Sequence, residues 1–501
     1  MSEAVRGEEL GVRSAADTAA LGLLTRSKAK RLVVDSRLVR PGDAFAAYPG
    51  DETDGRKYIA QAIAAGACAV LWDSDGFAWD GAWSVANLGV AGLRREIGAI
   101  ASEFYCEPSR SLWMIGVTGT NGKTSCAHWL ANSLATVGRK TALIGTLGNG
   151  FPGALSATAN TTPDAVTLHG LLKDYQDQGA AAVAMEVSSH GLDQGRVNGV
   201  HFDVALLTNL SRDHLDYHGN MASYAAAKAG LFTWPGLQFA VLNLDDPFGV
   251  ELAGKLGCGG VKVAGYGFHG EAEGCQIAVK GRELVLSAAG MSFEVATPWG
   301  KARIASPLLG RHNASNLLGV LATLLVSGIE LGDAASALGS IQQVSGRLQQ
   351  FGGKDKPLVV VDYAHTPDAL EKVLVALREI LPSSAALTCV FGCGGNRDKG
   401  KRPLMGGVVS RLADNAIVTS DNPRHEDPRA IIEEIVVGMG ANFHVEEDRA
   451  AAIDQAIHNA KPGDIVLIAG KGHEDYQEIN GVKLPFSDAE VAQRALQEYP
   501  C

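Results

Sequence analysis

Short apolar runs alternate with stretches of helical spacing along most of this chain, and nearly every apolar run ends in a polar, glycine-bearing loop. MIGV at 114–117, AVAME at 182–186, FDVALL at 202–207 and FAVLN at 239–243 read as buried strands. The same pattern returns in LVVVD at 358–362, LTCVF at 387–391, AIVTS at 416–420 and IVLIA at 465–469. Helical patterns separate these runs, as in SCAHWLANSLATVG and PDALEKVLVALREIL. Strands alternating with helices predict right-handed βαβ units and mostly parallel sheets.

The pattern divides the chain into three blocks. Residues 1–109 carry RLVVDSR as a short strand, Pro41-Gly42-Asp43 as a turn, DAFAAYPG as another strand, and Glu107-Pro108-Ser109 as a linker. Residues 110–344 open on LWMIGVTGTNGKT; within them, 259–298 alternates and is glycine-rich, predicting an antiparallel edge, and a helix follows from Asn316. Residues 345–501 repeat strand, loop and helix. Ligands of such sheets sit beyond the carboxyl ends of the strands. Four polar loops, 362–368, 392–402, 420–427 and 470–477, are therefore expected on one edge.

Composition narrows the class. Hydrophobic residues make up 46% of 501 and charged residues 20%, enough for large cores. A net charge of -11 argues against a chain-wide nucleic-acid footprint. The eight cysteines are scattered, so no disulfide framework is expected. The opening MSEAVRGEEL lacks the order of a signal peptide. No apolar run reaches the roughly 18–20 residues of a membrane span. A cytoplasmic protein without membrane insertion is the expectation.

The strongest chemical signal is Gly119-Thr120-Asn121-Gly122-Lys123-Thr124, a glycine turn between strand and helix. Its backbone N–H groups can approach phosphates, Lys123 can neutralise them, and Thr124 can place a hydroxyl on Mg²⁺. The spacing is a variant, because Val117 stands where a P-loop carries its first glycine. Glu186 ends an apolar strand and suits a hard cation, though a surface strand-end carboxylate reads the same way. His214 and His218 stand at i and i+4 but lack a third soft ligand for zinc. Taken alone, Lys228 in SYAAAKAGLF is a solvated helix residue. In the third block, Arg397, Arg402, Asp421, Asn422, Arg424, Lys471 and Glu474 collect on neighbouring loops. They suit a zwitterionic amino acid, or they are loop ion pairs. Cys389 and Cys393 read as packing residues, and no guanine-recognition N-K-x-D follows TNLSRD.

With these residues in place, the chain resembles the Mur ligases, in their diaminopimelate-adding branch. The likeness rests on TGTNGKT at 118–124, NTTPD at 160–164, MEVSSHGLDQGRV at 185–197 and NLSRDHLDYHG at 209–219. It continues in GRHNASN at 310–316, VDYAHTPDALEKVL at 361–374, FGCGGNRDKGKRPLMG at 391–406, DNPRHEDPRAII at 421–432 and AGKGHEDYQ at 469–477. The resemblance implies an α/β protein of three domains: a small UDP-binding α/β domain (1–109), a central P-loop nucleotide-binding parallel sheet (110–344) and a C-terminal Rossmann-like, amino-acid-binding sheet (345–501).

The implied reaction is ATP-dependent addition of meso-diaminopimelate to the D-Glu γ-carboxylate of UDP-MurNAc-L-Ala-D-Glu, through an acyl phosphate, in peptidoglycan synthesis. By resemblance, Thr118, Gly119, Thr120, Asn121, Gly122, Lys123, Thr124, Asn313, Arg347 and Asp362 hold ATP. Thr124, Glu186, His214 and Lys228 surround Mg²⁺; Lys123, Glu186, His214 and Lys228 are the catalytic group, and Lys228 is carboxylated to N6-carboxylysine. That implication replaces the solvated reading of Lys228. The UDP-MurNAc-dipeptide falls to Val34, Ser36, Asp51, Glu52, Thr53, Asn160, Thr161, Thr162, Ser188, Gln194 and Arg196. Diaminopimelate falls to Arg397, Asp421, Asn422, Pro423, Arg424, Gly470 and Glu474, with Arg424 marking preference over lysine. A monomer is expected. The nearest alternative, folylpolyglutamate synthase, is disfavoured by the N-terminal block and DNPR; a P-loop motor or switch has no use for the amino-acid constellation.

Overall fold

The computed structural model describes residues 15–51, 53–257, 259–271 and 273–500. The opening decapeptide and Glu52 lie outside the described residues. The chain forms two compact units, one of residues up to Val279 with Ala322–Ile329, the other of Lys280–Leu321 and Glu330 onward.

The first unit begins with four parallel strands in the order Leu32–Val33, Ala44–Ala47, Ala69–Asp73, Ala86–Val90. Successive side chains point to opposite faces. Ala44 and Ala46 accordingly join a core with Leu24, Leu93 and Ile97, while Phe45 and Ala47 join another with Ile59 and Ala62. The helices Ala15–Arg26 and Leu93–Phe104 cover the first of these faces.

A larger sheet follows. Its parallel strands run in the order Lys262–Gly267, Phe239–Asn243, Val204–Leu207, Trp113–Thr118, Ala182–Glu186, Thr141–Gly145. The short strands Gly148–Phe151 and Ala154–Ser156 extend it antiparallel. Register sets Val117 beside Glu186 and Thr118 beside Leu207, so the loops after these three strands share one edge.

The segment expected as a linker is packed. Pro108–Arg110 forms a 3₁₀ turn with Pro108 and Ser109 buried, and the Ser109 hydroxyl accepts a bond from the His201 amide at 3.0 Å. Nearby, Ser102 donates to the Gly199 carbonyl at 3.0 Å. A Cβ on Gly98 would sit 2.4 Å from the Asn198 carbonyl oxygen, so this helix approaches the 195–199 loop only through glycine.

In the second unit, Gly290–Thr297 pairs antiparallel with both Ile277–Ser287 and Gly300–Ser306, as the alternating pattern predicts. The helix expected from Asn316 starts earlier, at Arg311. The last sheet runs in the order Gln349–Gly352, Leu358–Asp362, Ile465–Ala469, Leu387–Phe391, Asn415–Val418, Phe443–Val445, antiparallel only at its first strand. Register sets Asp362 and Phe391 beside Ala469, and Val418 beside Phe391. The four polar loops therefore do leave from one edge. A hairpin, Tyr476–Ile479 with Val482–Pro485, and the helix Asp488–Glu498 extend the chain past the last strand that the pattern predicts.

One buried histidine makes the first unit pH-sensitive. His169 donates from Nε2 to the Asn198 carbonyl at 2.9 Å, while its buried Nδ1 has no partner. Burial pushes its pKa down to about 4 against this hydrogen bond. The unfolded chain binds the proton more readily, at about pH 6.5. The stability is therefore complete above about pH 6.5 and is lost as pH falls towards 4, by on the order of 3 kcal/mol. Denaturation midpoints between pH 7 and pH 4 are expected to fall more steeply for the parent than for His169→Gln. Parallel slopes would remove His169 as the cause.

Candidate active site

On the first unit, the strand Trp113–Thr118 turns through Gly119 and Gly122 into the helix Lys123–Thr136. Gly119 has φ +146°, and a Cβ there would lie 1.9 Å from the Thr208 hydroxyl. The turn is therefore open only to glycine, with its amides beyond the sheet edge. Asn209 braces it: its carbonyl accepts from the Thr120 amide at 2.8 Å, and its side-chain oxygen accepts from the Asn121 amide at 3.1 Å. Thr118 is fully buried beneath the turn.

Lys123 folds back, donating to the Gly119 and Thr120 carbonyls at 2.9 Å each. Lys228, on the helix Met221–Ala229, donates to the same Gly119 carbonyl at 2.8 Å. Lys228 is 1% exposed, so the solvated reading drawn from its sequence context alone is corrected: Tyr224 and the glycine turn cover it. Burial, and then the charge of Lys123, push its pKa well below the ordinary lysine value. Both effects favour the neutral amine over the ammonium.

Glu186 is equally buried, not a surface carboxylate. It accepts from the Thr124 hydroxyl at 2.9 Å, the Thr146 amide at 2.7 Å and the Thr146 hydroxyl at 3.2 Å. Gly145 makes room for it, since a Cβ there would meet its oxygen at 2.3 Å. Thr146 also reaches the Thr161 hydroxyl at 3.0 Å. Thr146 had no role in the sequence reading; its only signal was the glycine before it.

Around this centre, Thr162 donates to the Glu186 carbonyl at 2.9 Å and lies 3.0 Å from the Ser188 hydroxyl. Arg196 donates to the Thr162 carbonyl at 2.9 Å and to Gln194 at 2.7 Å, and Gln194 donates to Asp51 at 2.6 Å. Asp51 also pairs with Arg94 at 2.7 Å. Asp51 thus joins the residues expected to hold the dipeptide. Asn160 is exposed; Val34 follows the strand Leu32–Val33, and Ser36 opens the 3₁₀ turn Ser36–Leu38 and is bonded to Gln61 at 3.1 Å. Thr53 reaches Tyr58 at 3.5 Å.

The oxygens of Thr124 and Glu186 suit a hard cation that keeps several waters or phosphate oxygens as ligands. Lys228 as an amine only donates; its carbamate would offer oxygen. His214, exposed at φ +52° and 3.5 Å from Asp213, offers nitrogen. No cluster of three His, Cys, Asp or Glu side chains suited to a metal occurs among the described residues.

On the second unit, the loops after the parallel strands carry the other constellation. Lys471 is fully buried, donating to Asn422 at 3.0 Å and Glu474 at 3.1 Å, with Asp421 at 3.7 Å. Asn422 also donates to Glu474 at 2.8 Å. A Cβ on Gly470 would lie 2.9 Å from the Asp421 carboxylate, so the two loops touch through glycine. Pro423 is buried beside them. Arg424, at φ +53°, is strapped to the hairpin: its amide donates to the Glu478 carbonyl at 2.9 Å. Its guanidinium donates to the Gly395 carbonyl at 2.9 Å and meets Glu478 at 3.2 Å.

Two arginines of the preceding loop differ. Arg397 is exposed, whereas Arg402 is fully buried, bonded to Glu426 at 3.0 Å and Glu434 at 2.8 Å. Arg402 is a strut, so the ion-pair alternative holds at that position. Cys389 and Cys393 are buried in the core, as expected of packing residues. Asn313 donates to the Leu309 carbonyl at 2.9 Å, and Arg347 stacks 4.7 Å from the Tyr363 ring. Burial pushes the Asp362 carboxyl up, against Arg347 and the amides of Leu348 and Ala364.

Lys471 balances the carboxylates of Asp421 and Glu474, and removing one member of a buried pair strands the rest. Lys471→Met is expected to cost about 3–5 kcal/mol in denaturant unfolding. A variant as stable as the parent would show that no buried charge is being balanced.

Comparison with known proteins gives matches along most of the chain. Residues 28–105 match the Mur ligase family catalytic domain, 117–324 the Mur ligase middle domain, and 346–472 the Mur ligase glutamate ligase domain. The chain is 54% identical over 469 residues to the UDP-N-acetylmuramoyl-L-alanyl-D-glutamate–2,6-diaminopimelate ligase of Chromobacterium violaceum, covering 93% of this chain and 94% of that one. A solved structure of a ligase of the same name superposes with a TM-score of 0.69 at 37% identity, over 94% of this chain and 95% of that one. The MurF ligase of Thermotoga maritima in complex with ADP shares the fold, with a TM-score of 0.66 at 19% identity over 95% and 99% of the two chains.

Proposed function

We propose, for a chain that belongs to the Mur ligase family, that it joins meso-diaminopimelate to the D-Glu γ-carboxylate of UDP-MurNAc-L-Ala-D-Glu at the expense of ATP, in peptidoglycan synthesis. The observation that carries this reading is the 54% identity to a ligase of that name over 93% of the chain. The reading takes the chain as a cytoplasmic monomer whose domains divide near 109/110 and 344/345.

A carboxylate is a poor electrophile. Transfer of the ATP γ-phosphoryl group to it creates an acyl phosphate; the amine then attacks, and phosphate leaves as the amide forms. The protein's work is positioning and charge neutralisation. The 118–124 turn and Lys123 cradle the ATP phosphates; Asn313, Arg347 and Asp362 match further ATP-contacting residues of the family. Thr124, Glu186, His214 and carboxylated Lys228 would hold Mg²⁺, which when bound would neutralise charge at the phosphates. The unprotonated Lys228 amine adds to the carbon of CO₂ and releases a proton, leaving an anionic carbamate. Its burial and its closeness to Lys123 favour that step.

Thr161, Thr162, Ser188, Gln194 and Arg196, with Asn160, hold the muramoyl dipeptide, and Val34, Ser36 and the 51–53 loop hold the UDP end. The amino acid falls to Asp421, Asn422, Pro423, Gly470 and Glu474. Arg397 and Arg424 face its carboxylates. Diaminopimelate has one carboxylate that lysine lacks, and a guanidinium suits it.

Phosphate release is expected only with UDP-MurNAc-L-Ala-D-Glu and meso-diaminopimelate together, with a tripeptide product by mass spectrometry. Arg424→Ala is expected to lose about 2–5 kcal/mol towards diaminopimelate, a fall of about 30-fold or more in kcat/KM. A higher kcat/KM for L-lysine in the parent would discard the specificity. Lys228→Ala is expected to lose on the order of 100-fold in kcat, with partial recovery in formate. Full activity without formate would remove the carbamate.

A further inference from the structure

Arg449 opens the helix Arg449–Asn459, yet its side chain turns inward and is 1% exposed. Taking a guanidinium out of water costs several kcal/mol unless its N–H groups are met. Two of them go to Asp488, also fully buried, in a two-point pair: Nε to Oδ1 at 2.7 Å and Nη2 to Oδ2 at 2.8 Å. Two more go to backbone. Nη2 donates to the Ala469 carbonyl at 3.0 Å, and Nη1 to the Ser420 carbonyl at 3.3 Å.

Those two carbonyls hold the clue. Ala469 ends one strand and Ser420 follows another, and the strand Leu387–Phe391 lies between them in the sheet. No ladder hydrogen bond joins them directly; beside the side-chain bonds of Lys471 and Asn422, the arginine fork ties both backbones at once. The next residue after each carbonyl is Asp421 or Gly470, the pair that meets across the sheet edge. Lys471, Asn422 and Glu474 follow directly. A buried ion pair is often matched in stability by apolar side chains of similar volume. Packing alone therefore does not account for a guanidinium here, whereas the need to hold two carbonyls at once does.

We propose that Arg449, anchored by Asp488, is a positioning residue that sets the distance between the 420–424 and 470–474 loops, and so the amino-acid site. The last clause rests on the functional reading above. Arg449 touches no substrate; it acts through the loops.

The test uses the full chain carrying Arg449→Met, Arg449→Lys or the apolar pair Arg449→Met with Asp488→Leu, the pair keeping the helix packed if the single change unfolds. Amide hydrogen exchange and the separate KM values for meso-diaminopimelate, ATP and UDP-MurNAc-L-Ala-D-Glu are measured. Expected for the apolar pair are faster exchange confined to 420–424 and 470–474, and a KM for diaminopimelate raised on the order of 10- to 100-fold. The other two KM values should move less than about twofold, and Arg449→Lys should fall between pair and parent. Unchanged exchange in both loops, or loss spread evenly over all three KM values with a lower melting temperature, would overturn the proposal. Faster exchange in the loops with the KM change on a different substrate would support the positioning role and overturn the amino-acid assignment of those loops instead.

Discussion

A charge taken out of water must be met at close range, and the sites of this protein are organised around that constraint. Glu186, Lys228, Lys471, Arg402 and Arg449 are all almost wholly buried. All but Arg402, which pairs with Glu426 and with Glu434 on the helix Pro428–Val436, are met wholly or in part by groups at or beside the carboxyl ends of parallel strands. There, chain leaving the sheet offers amides and carbonyls that no neighbouring strand has used. Glu186 takes two hydroxyls and an amide, and Lys228 takes a carbonyl of the glycine turn. Low local dielectric makes these contacts strong and makes any unpaired member expensive.

Close approach of backbone is the companion requirement. Gly119, Gly145 and Gly470 each stand where a Cβ would strike a neighbouring polar side chain. At the first, the turn reaches Thr208; at the second, Glu186 keeps its place beneath the edge; at the third, the 470–474 loop reaches Asp421 of the 420–424 loop. The glycines are thus tied to the charges. They allow a loop to approach a buried carboxylate or hydroxyl without a side chain between.

Much of this was legible. The apolar runs marked four strands in each of the two larger sheets, because a strand covered on both faces has nowhere to place polar residues, but they left Thr141–Gly145 unmarked. The order strand, glycine turn, lysine, threonine, helix marked the turn between Trp113–Thr118 and Lys123–Thr136 from local chemistry. Smaller features were missed for identifiable reasons. The helix Leu93–Phe104 follows a strand, Ala86–Val90, whose residues are largely half-exposed and so carry a weak apolar signal. The Glu107-Pro108-Ser109 stretch has linker composition, but its burial depends on His201, about ninety residues away.

The sequence by itself determined the alternation of strands and helices, the turn that suits phosphate, and the edge on which the polar loops gather. These follow from period, turn chemistry and the handedness of βαβ units, all properties of nearby residues. Tertiary structure alone decided which charges are buried and what they hold. Lys228 looks like any helical lysine until Tyr224 and the glycine turn close over it. Arg402 and Arg397, five positions apart, end as a buried strut and an exposed cation. Arg449 has no distinguishing neighbour in sequence; its meaning lies in carbonyls 20 and 29 residues away. Local pattern cannot encode such outcomes, because desolvation is set by what the rest of the chain packs against a side chain.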